Sequence, residues 1–302
     1  MRIAVPDLIS NSYFPAIAAV EFGYLKDEGI EATVELLFPV DAAYRALAAG
    51  EIDVVAGSAH SALAAFPAWN GVKLLAAQGQ GMYWFLVMRA DLGAARKDVS
   101  VLRGKRIGAA PWVDLGLEQL VADAGIELSD VEIAPVPGAA GAGTNFGLTA
   151  ARALSDAKID GFWANGMGAE MAILSGAGTL VLDIRRGDGP AGCFDYTFAS
   201  VAATDAFLSE DVGRAQAIVR AVRRAQATLA EDPERATAVG ERIFPAEQAY
   251  LIAELVRRDV PYYDAEISER AIDGMKRFAR ERGLLDSDPP YEEIVATDID
   301  RS

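Results

Sequence analysis

Residues 50–66, GEIDVVAGSAHSALAAF, are the most informative stretch of this chain, because they join a short apolar run, a turn of small residues and an Ala-rich segment. The apolar run is too short and too β-prone for a helix, so we predict a buried strand followed by the start of a helix. Residues 157–173, AKIDGFWANGMGAEMAI, repeat this order after the same Ile-Asp pair. The first N–H groups of a helix favour polar or anionic groups. Two such turns predict two similar lobes facing one ligand.

The composition is that of an ordinary globular protein. The chain has 302 residues, of which 52% are hydrophobic and 24% charged, and this length allows two lobes of about 150 residues, each with its own core. The formal net charge of −16 argues against nucleic acid or an anionic membrane as a partner, since phosphate binding needs a clustered basic face. No apolar run reaches the roughly 18 residues of a membrane span, so we expect no membrane insertion.

Metal and disulfide chemistry have few candidate residues. The only cysteine, Cys193, excludes an internal disulfide and a multi-cysteine metal site. The only histidine, His60, argues against a histidine-based zinc site. We therefore expect no metal and no cofactor.

Strands and helices alternate in the first part of the chain. We predict strands at residues 2–5, 32–37 and 73–78, besides the one in the opening stretch, and helices at 13–25 and 41–49. Asp41 is the predicted cap of the second helix. Such alternation predicts a parallel sheet with its ligand beyond the carboxyl ends of the strands.

A second lobe follows, between two predicted crossing segments at 84–89 and 193–201. We expect lobe 1 to comprise residues 1–86 and 200–302, and lobe 2 to comprise 87–199. Residues 209–285 read as helices that complete lobe 1, with Ser209, Asp211 and Ser268 as starting residues. Residues 286–302 are acidic, and we expect them to be loosely attached.

Two segments, YFPAIAAVEFGYLKDEGIEATVELLF (13–38) and ALAAGEIDVVAGSAHSALAAF (46–66), resemble a known family. They are similar to the nitrate/sulfonate/taurine class of ABC-transporter substrate-binding proteins and to the thiamine-pyrimidine synthase superfamily, which shares their fold. The resemblance runs from Ile3 to about Leu208. It implies an α/β, two-lobed periplasmic-binding-protein type II fold with two crossing strands and a helical C-terminal region. It also implies a small-molecule ligand and a membrane permease as partner.

The chain departs from that family in two respects. Residues 2–5 lead straight to Pro6 without the apolar core of a signal peptide. We therefore expect a periplasmic protein if a signal peptide was removed, and a cytoplasmic one otherwise. The superfamily also contains enzymes, but residues 23–29 lack the cysteine nucleophile that the resemblance to a sulfinate desulfinase requires there. A single cysteine likewise disagrees with the cysteine-rich motif of the pyrimidine synthase.

Candidate ligand-binding residues follow the predicted strands of both lobes, where a ligand would lie. Lobe 1 and the adjoining crossing contribute Asn11, Tyr13, Ser58, Ala59, His60, Ser61, Gln80, Met82 and Tyr83. Lobe 2 contributes Trp112, Asp114, Thr144, Asn145, Trp163 and Asn165.

Each candidate also has a purely structural interpretation. Ser58 is either a ligand hydroxyl or a helix cap. His60 could contact ligand, act as acid or base, or be a hydrogen-bonded structural residue. Trp112 and Trp163 either line an aromatic cleft with Tyr13, Met82 and Tyr83 or belong to the lobe core. Cys193 reads as a buried, inert thiol.

The glycine-rich segment 138–147 is not a dinucleotide fingerprint, because it does not join a first strand to its helix. We interpret it as a flexible loop that grips a ligand and ends in a capped helix. Basic residues near these turns are few. An anion would therefore depend on N–H groups and hydroxyls, and a neutral or weakly anionic aromatic ligand is equally consistent.

Two functions compete. The first is a solute-binding protein that closes over a small organic ligand, such as a sulfonate or an aromatic or other carboxylate, and delivers it to an ABC importer. The second is a cytosolic enzyme on the same fold, a decarboxylase, desulfinase or isomerase that uses His60. The absence of a cysteine nucleophile in the expected region favours the first.

Overall fold

The computed structural model describes residues 1–139 and 145–299. The chain forms two compact units, Met1–Gly81 with Thr197–Ser302 and Met82–Tyr196. It therefore leaves the first unit once and returns once. Our expected boundaries lay after Leu86 and after Ala199. The first division falls earlier because the strand that begins at Phe85 pairs entirely within the sheet of the second unit.

The first unit starts with alternating strands and helices. In chain order these are β1 (Arg2–Val5), α1 (Phe14–Glu21), α2 (Tyr24–Asp27), β2 (Thr33–Leu36), α3 (Val40–Ala48), β3 (Val54–Ser58), 3-10 helices at Ala59–Ala64 and Pro67–Trp69, and β4 (Val72–Gly79). The predicted helix over 13–25 is divided because Gly23 adopts φ +77° between α1 and α2. The Ala-rich part of the opening stretch forms a 3-10 helix rather than the predicted α-helix.

The second unit has the same kind of alternation. Its elements are β5 (Phe85–Arg89), 3-10 helices at Ala90–Leu92 and Val99–Leu102, β6 (Arg106–Ala109), α4 (Asp114–Asp123), a 3-10 helix at Leu128–Asp130, β7 (Glu132–Ala134), α5 (Phe146–Ser155), β8 (Gly161–Ala164), α6 (Gly166–Leu174), β9 (Gly178–Asp183), and 3-10 helices at Ile184–Arg186 and Cys193–Asp195.

The chain then returns to the first unit and becomes helical. Its elements are β10 (Ala199–Thr204), α7 (Asp205–Glu210), α8 (Val212–Glu231), α9 (Arg235–Ile243), α10 (Ala246–Ala249), α11 (Leu251–Asp259), a 3-10 helix at Val260–Tyr262, α12 (Glu269–Glu281) and α13 (Tyr291–Ile294). None of the helices in the described residues is long and apolar enough to cross a membrane.

Each unit contains one five-stranded sheet. The first has the order β2-β1-β3-β10-β4 and the second β7-β6-β8-β5-β9. The prediction of parallel sheets was wrong for two strands: β10 runs antiparallel to β3 and β4, and β5 runs antiparallel to β8 and β9. Both are the first strands after the chain has changed units. Neither is therefore joined to an earlier strand of its own sheet by the strand–helix–strand crossover that makes neighbours parallel.

The acidic C-terminal stretch is attached, contrary to our prediction, at least as far as the described residues extend. Ile294 and Val295 are fully buried, and Val295 forms a parallel bridge with Leu74 of β4. The ammonium group of Lys73 also donates to the carbonyl of Glu292 at 2.7 Å. The stretch is acidic overall, but its few apolar residues dock at the edge strand of the first sheet.

Two predicted helix starts are confirmed. The Ser268 hydroxyl accepts the N–H of Ala271 at the start of α12, and Asp211 caps α8 by accepting the N–H of Arg214. Asp41 does not cap α3. Pro39 is the N-cap residue of that helix, and Asp41 lies inside the first turn, where it pairs with Arg45.

Candidate functional site

The loop after β1 carries a run of buried polar side chains in the first unit. Ser10, Asn11 and Ser12 are at most 2% exposed. The Asn11 Nδ2 donates to Asp259 Oδ2 at the end of α11, at 2.6 Å, and the Ser10 hydroxyl accepts the N–H of Ser12. Tyr13, also buried, is the N-cap residue of α1. The predicted residues Asn11 and Tyr13 thus lie at the carboxyl end of β1.

The turn after β3 lies at the same edge of the sheet, because β1 and β3 are parallel. The hydroxyls of Ser58 and Ser61 are 2.6 Å apart. Ser58 therefore bonds to another side chain and does not cap the 3-10 helix that follows it. Ala59 lies between these two serines in the sequence, and its backbone N–H donates to the carbonyl of Phe198 at 3.0 Å.

His60 is fully buried and held on several sides within the first unit. Its Nδ1 lies 3.0 Å from Thr197 Oγ1 and its Nε2 3.4 Å from the Ser61 hydroxyl. Its ring packs edge-on against Phe278 of α12, with centroids 5.3 Å apart. The imidazole thus belongs to a chain of hydroxyl groups that continues from Ser61 to Ser58, which restricts its orientation.

Two glutamines around the end of β4 connect elements of the first unit. Gln78 accepts the N–H of Ala16 in the first turn of α1, at 3.2 Å. Gln80, a predicted ligand residue, donates its amide to the carbonyls of Asp264 and Glu266 at 2.9 and 2.8 Å. The amide hydrogens of Gln80 therefore hold the segment after α11 in place.

The residues of the second unit that we predicted to line an aromatic cleft lie mostly in its interior. Met82, Tyr83 and Trp163 are at most 2% exposed. Trp163 is part of β8, opposite Leu86 of β5, and its ring lies edge-on to Trp84 with centroids 6.0 Å apart. Its indole N–H is buried and has no hydrogen-bond partner among the residues that the structure describes.

Trp112 and Asp114 lie between β6 and α4. Trp112 has φ +69°, and Asp114 is the first residue of α4, where its Oδ1 accepts the N–H of Leu115 at 2.9 Å. Burial, helped by the negative charge of Glu118, raises the pKa of Asp114 to about 6. This carboxyl group thus changes its charge close to neutral pH.

Replacing Asp114 by Asn should stabilise the free protein above pH 6 and have little effect below pH 4. The raised pKa means that the folded state holds the proton more tightly, so stability falls as pH rises from the unfolded value to about 6. After a discount for partial exposure, we expect a gain of about 1–2 kcal/mol at pH 7.5. Urea unfolding at both pH values measures it. An equal effect at both would contradict the assigned pKa.

Asn145 and Asn165 are both helix caps. Asn145 accepts the N–H of Leu148 in α5 at 2.9 Å, and Asn165 accepts that of Gly168 in α6 at 3.4 Å. The two helices approach closely where Gly147 faces Gly168. The capped helix predicted after the glycine-rich segment is therefore present, but Thr144, predicted as a ligand residue, lies outside the described residues.

Arg185 was not among our predicted site residues. It follows β9, which shares its direction with β8 because both are antiparallel to β5. It is 5% exposed, and its guanidinium carbon lies 5.6 Å from the centroid of the Tyr83 ring. The rule that selects residues after strand ends would have found Arg185, had it been applied to β9.

Cys193 and the possible metal ligands do not form a reactive or metal-binding group in the described residues. Cys193 is buried, and burial raises the pKa of its thiol to about 11, so the thiolate is disfavoured. Across residues 1–139 and 145–299, no group of three or more His, Cys, Asp or Glu side chains is arranged to hold a metal ion.

The chain belongs to the NMT1/THI5-like family, whose model matches residues 10–236. No curated protein sequence matches it. Among solved structures, it is similar to the periplasmic aliphatic sulphonate binding protein SsuA from Escherichia coli, with 13% identity, a TM-score of 0.74, and coverage of 99% of this chain and 98% of that one.

Two further solved structures share the fold. The periplasmic nitrate-binding protein NrtA from Synechocystis PCC 6803 has 12% identity and a TM-score of 0.70, over 97% of this chain and 83% of that one. The desulfurization enzyme DSZB has 16% identity and a TM-score of 0.66, over 98% and 96%. The predicted two-lobed periplasmic-binding-protein fold is confirmed. At such low identity these similarities show the fold alone.

Proposed function

We propose that this chain is a solute-binding protein that binds a small organic molecule and delivers it to an ABC importer on the periplasmic side of a membrane. The observation that carries the proposal is the set of buried polar side chains at the carboxyl edge of the first sheet, where α/β proteins bind ligands. Asn11 and Ser12 in this set have hydrogen-bonding atoms that no described residue uses. Membership of the family and the binding proteins among its structural relatives support the same function.

The ligand site in this proposal lies at the carboxyl edge of the first sheet. Asn11, Ser58 and Ser61 offer hydrogen bonds in the first unit. These groups can both donate and accept hydrogen bonds, so they suit a small polar organic molecule.

An enzyme on this fold is the second candidate. Its specific support is the hydrogen-bonded chain from Thr197 through His60 to Ser61, together with the structural similarity to the desulfurization enzyme DSZB. A histidine in contact with hydroxyls can transfer protons. The complete burial of His60 and its packing against Phe278 favour a structural role instead.

Ligand-induced stabilisation is the test of the proposal. The purified protein is screened by thermal shift against alkanesulfonates, aromatic carboxylates, nitrate and aminopyrimidines. A compound present at a hundred times its Kd should add about 2.7 kcal/mol to the free energy of unfolding, which corresponds to a rise in Tm of roughly 5–10 °C. If the proposed function is correct, the protein does not chemically convert any compound that it binds.

His60→Gln separates the two candidates. In a binding protein the variant should retain its affinity within about tenfold, whereas loss of a general acid or base lowers turnover by roughly 10²–10⁴-fold. Binding is measured by calorimetry and turnover by mass spectrometry of the ligand after prolonged incubation. Turnover by the native protein that His60→Gln abolishes would reject the binding-protein proposal in favour of the enzyme.

A further inference from the structure

The orientation of the Asn11 amide is fixed by its partner. One end of that amide lies 2.6 Å from a carboxylate oxygen of Asp259. A carboxylate accepts hydrogen bonds, so the end nearest to it must be the NH2 group. The carbonyl oxygen Oδ1 therefore points to the other side. It is buried, and no group among the described residues donates to it.

The neighbouring residue, Ser12, presents a second unused group. Its side chain is 2% exposed, and its hydroxyl has no hydrogen-bond partner within residues 1–139 and 145–299. Polar atoms buried without a partner are uncommon in native proteins, because each loses its hydrogen bonds with water and gains none in return. Two such atoms on consecutive residues at the end of β1 indicate a ligand contact.

The surroundings of this pair favour a donor over an anion. The segments at this edge of the first sheet, residues 6–13, 37–39, 59–61, 80–81 and 197–198, contain no lysine or arginine. Arg257 and Arg258 precede Asp259 on α11, and they form ion pairs with Glu234 and Glu254. The adjacent Asp259 carboxylate polarises the Asn11 amide and makes its oxygen a stronger acceptor. The net charge of −16 adds a field that attracts cations.

We propose that Asn11 Oδ1 and the Ser12 hydroxyl bind a nitrogen-bound hydrogen-bond donor of the ligand, preferentially a protonated amine. This inference rests on the proposed function and narrows the ligand to molecules that carry an amino group. A protonated amine supplies three donors, enough for both atoms. An amino-substituted sulfonate or carboxylate meets this requirement.

Matched pairs of compounds test the inference. We would measure binding of 2-aminoethanesulfonate against ethanesulfonate, and of 4-aminobenzoate against benzoate, by calorimetry. In any pair that binds, the amino compound should bind at least about tenfold more tightly, since a hydrogen bond to a charged group contributes roughly that much. The advantage should fall below about threefold in Ser12→Ala and in Asn11→Ala.

The possible outcomes separate the two proposals. If neither member of any pair binds and no other compound in the thermal-shift screen does, the proposed function fails, and the inference fails with it. If compounds bind but the amino group brings no advantage, the inference is overturned while the proposed function stands. An advantage that both variants retain also overturns it, because the donor is then bound elsewhere.

Stability of the free protein gives a test that needs no ligand. Ser12→Ala removes a buried hydroxyl without a partner and should leave Tm unchanged or raise it. Ser10→Ala is the matched control, because it removes an acceptor of the Ser12 N–H and should lower Tm by about 2–4 °C. If Ser12→Ala lowers Tm as much as Ser10→Ala, the hydroxyl supports the fold and the inference is wrong.

Discussion

Replacing Gly168 by Ala should destabilise the protein by about 2–3 kcal/mol, although alanine is the better helix former. Gly168 lies in the first turn of α6, against Gly147 in α5. A Cβ at position 168 would lie 2.8 Å from the Gly147 Cα and carbonyl oxygen. These are backbone atoms, so relief requires the two helices to separate. Chemical denaturation of the variant measures the loss.

Gly213→Ala is the matched control for this prediction. Gly213 also lies near the start of a helix, α8, but its Cβ would meet only the side-chain oxygen of Asp211, at 3.2 Å. A side chain can move where a backbone cannot. We expect a change of less than about 1 kcal/mol in either direction, because helix propensity favours alanine while the Cβ presses on the oxygen that caps α8. Equal losses at Gly168 and Gly213 would show that helix contact is not the cause.

Removing both positive partners of Asp188 should cost about 3–5 kcal/mol. The Asp188 side chain is 1% exposed and lies 2.6 Å from Arg96 Nε and 3.3 Å from Lys97 Nζ. It also accepts the N–H of Asp183 at 2.8 Å. In the double variant Arg96→Met and Lys97→Met, the buried carboxylate of Asp188 still accepts the N–H of Asp183, but it no longer has a positively charged partner in Arg96 or Lys97. Denaturation in urea at pH 7 gives the difference.

A second pair of cations in the same unit supplies the control. Arg103 lies 2.6 Å from Asp130, and Lys158 lies 3.0 Å from Asp156, with all four side chains about half exposed. Exposed ion pairs contribute less than about 1 kcal/mol each. The double variant Arg103→Met and Lys158→Met should therefore cost less than half as much. A similar loss in both double variants would show that burial of Asp188 is not what makes its partners important.

The sequence predicted the strands well where a buried run ends in a turn. The run before Ser58 and the run before Asn165 form β3 and β8, because short runs of β-branched and aromatic residues bounded by small polar ones favour strands. It did not predict that β5 and β10 are antiparallel to their neighbours. Strand direction depends on the path of the chain between units, which local periodicity does not record.

The sequence located candidate residues by their position after predicted strands, but it did not predict which side chains they contact. The rule that ligands lie beyond strand ends selected Asn11, Ser58 and His60, all of which lie at that edge of the first sheet. It gave no indication that His60 is packed against Phe278. It also selected Trp163 near the end of a strand without indicating that this side chain is fully buried in β8. Burial is set by packing partners that are distant in sequence.

The amino-acid sequence was sufficient to predict two α/β units and a helical C-terminal region, because these depend on periodicity, caps and turn residues that act over a few positions. Which polar groups have hydrogen-bond partners became visible only in the folded chain. Asn11 and Asp259 are 248 positions apart in the sequence, and the hydrogen bond between them fixes the orientation of the Asn11 amide. In that orientation no described residue donates to the Asn11 carbonyl oxygen. Hydrogen-bond partners are fixed by the final packing of whole elements, so the donor-binding character of this loop could be inferred only from the folded protein.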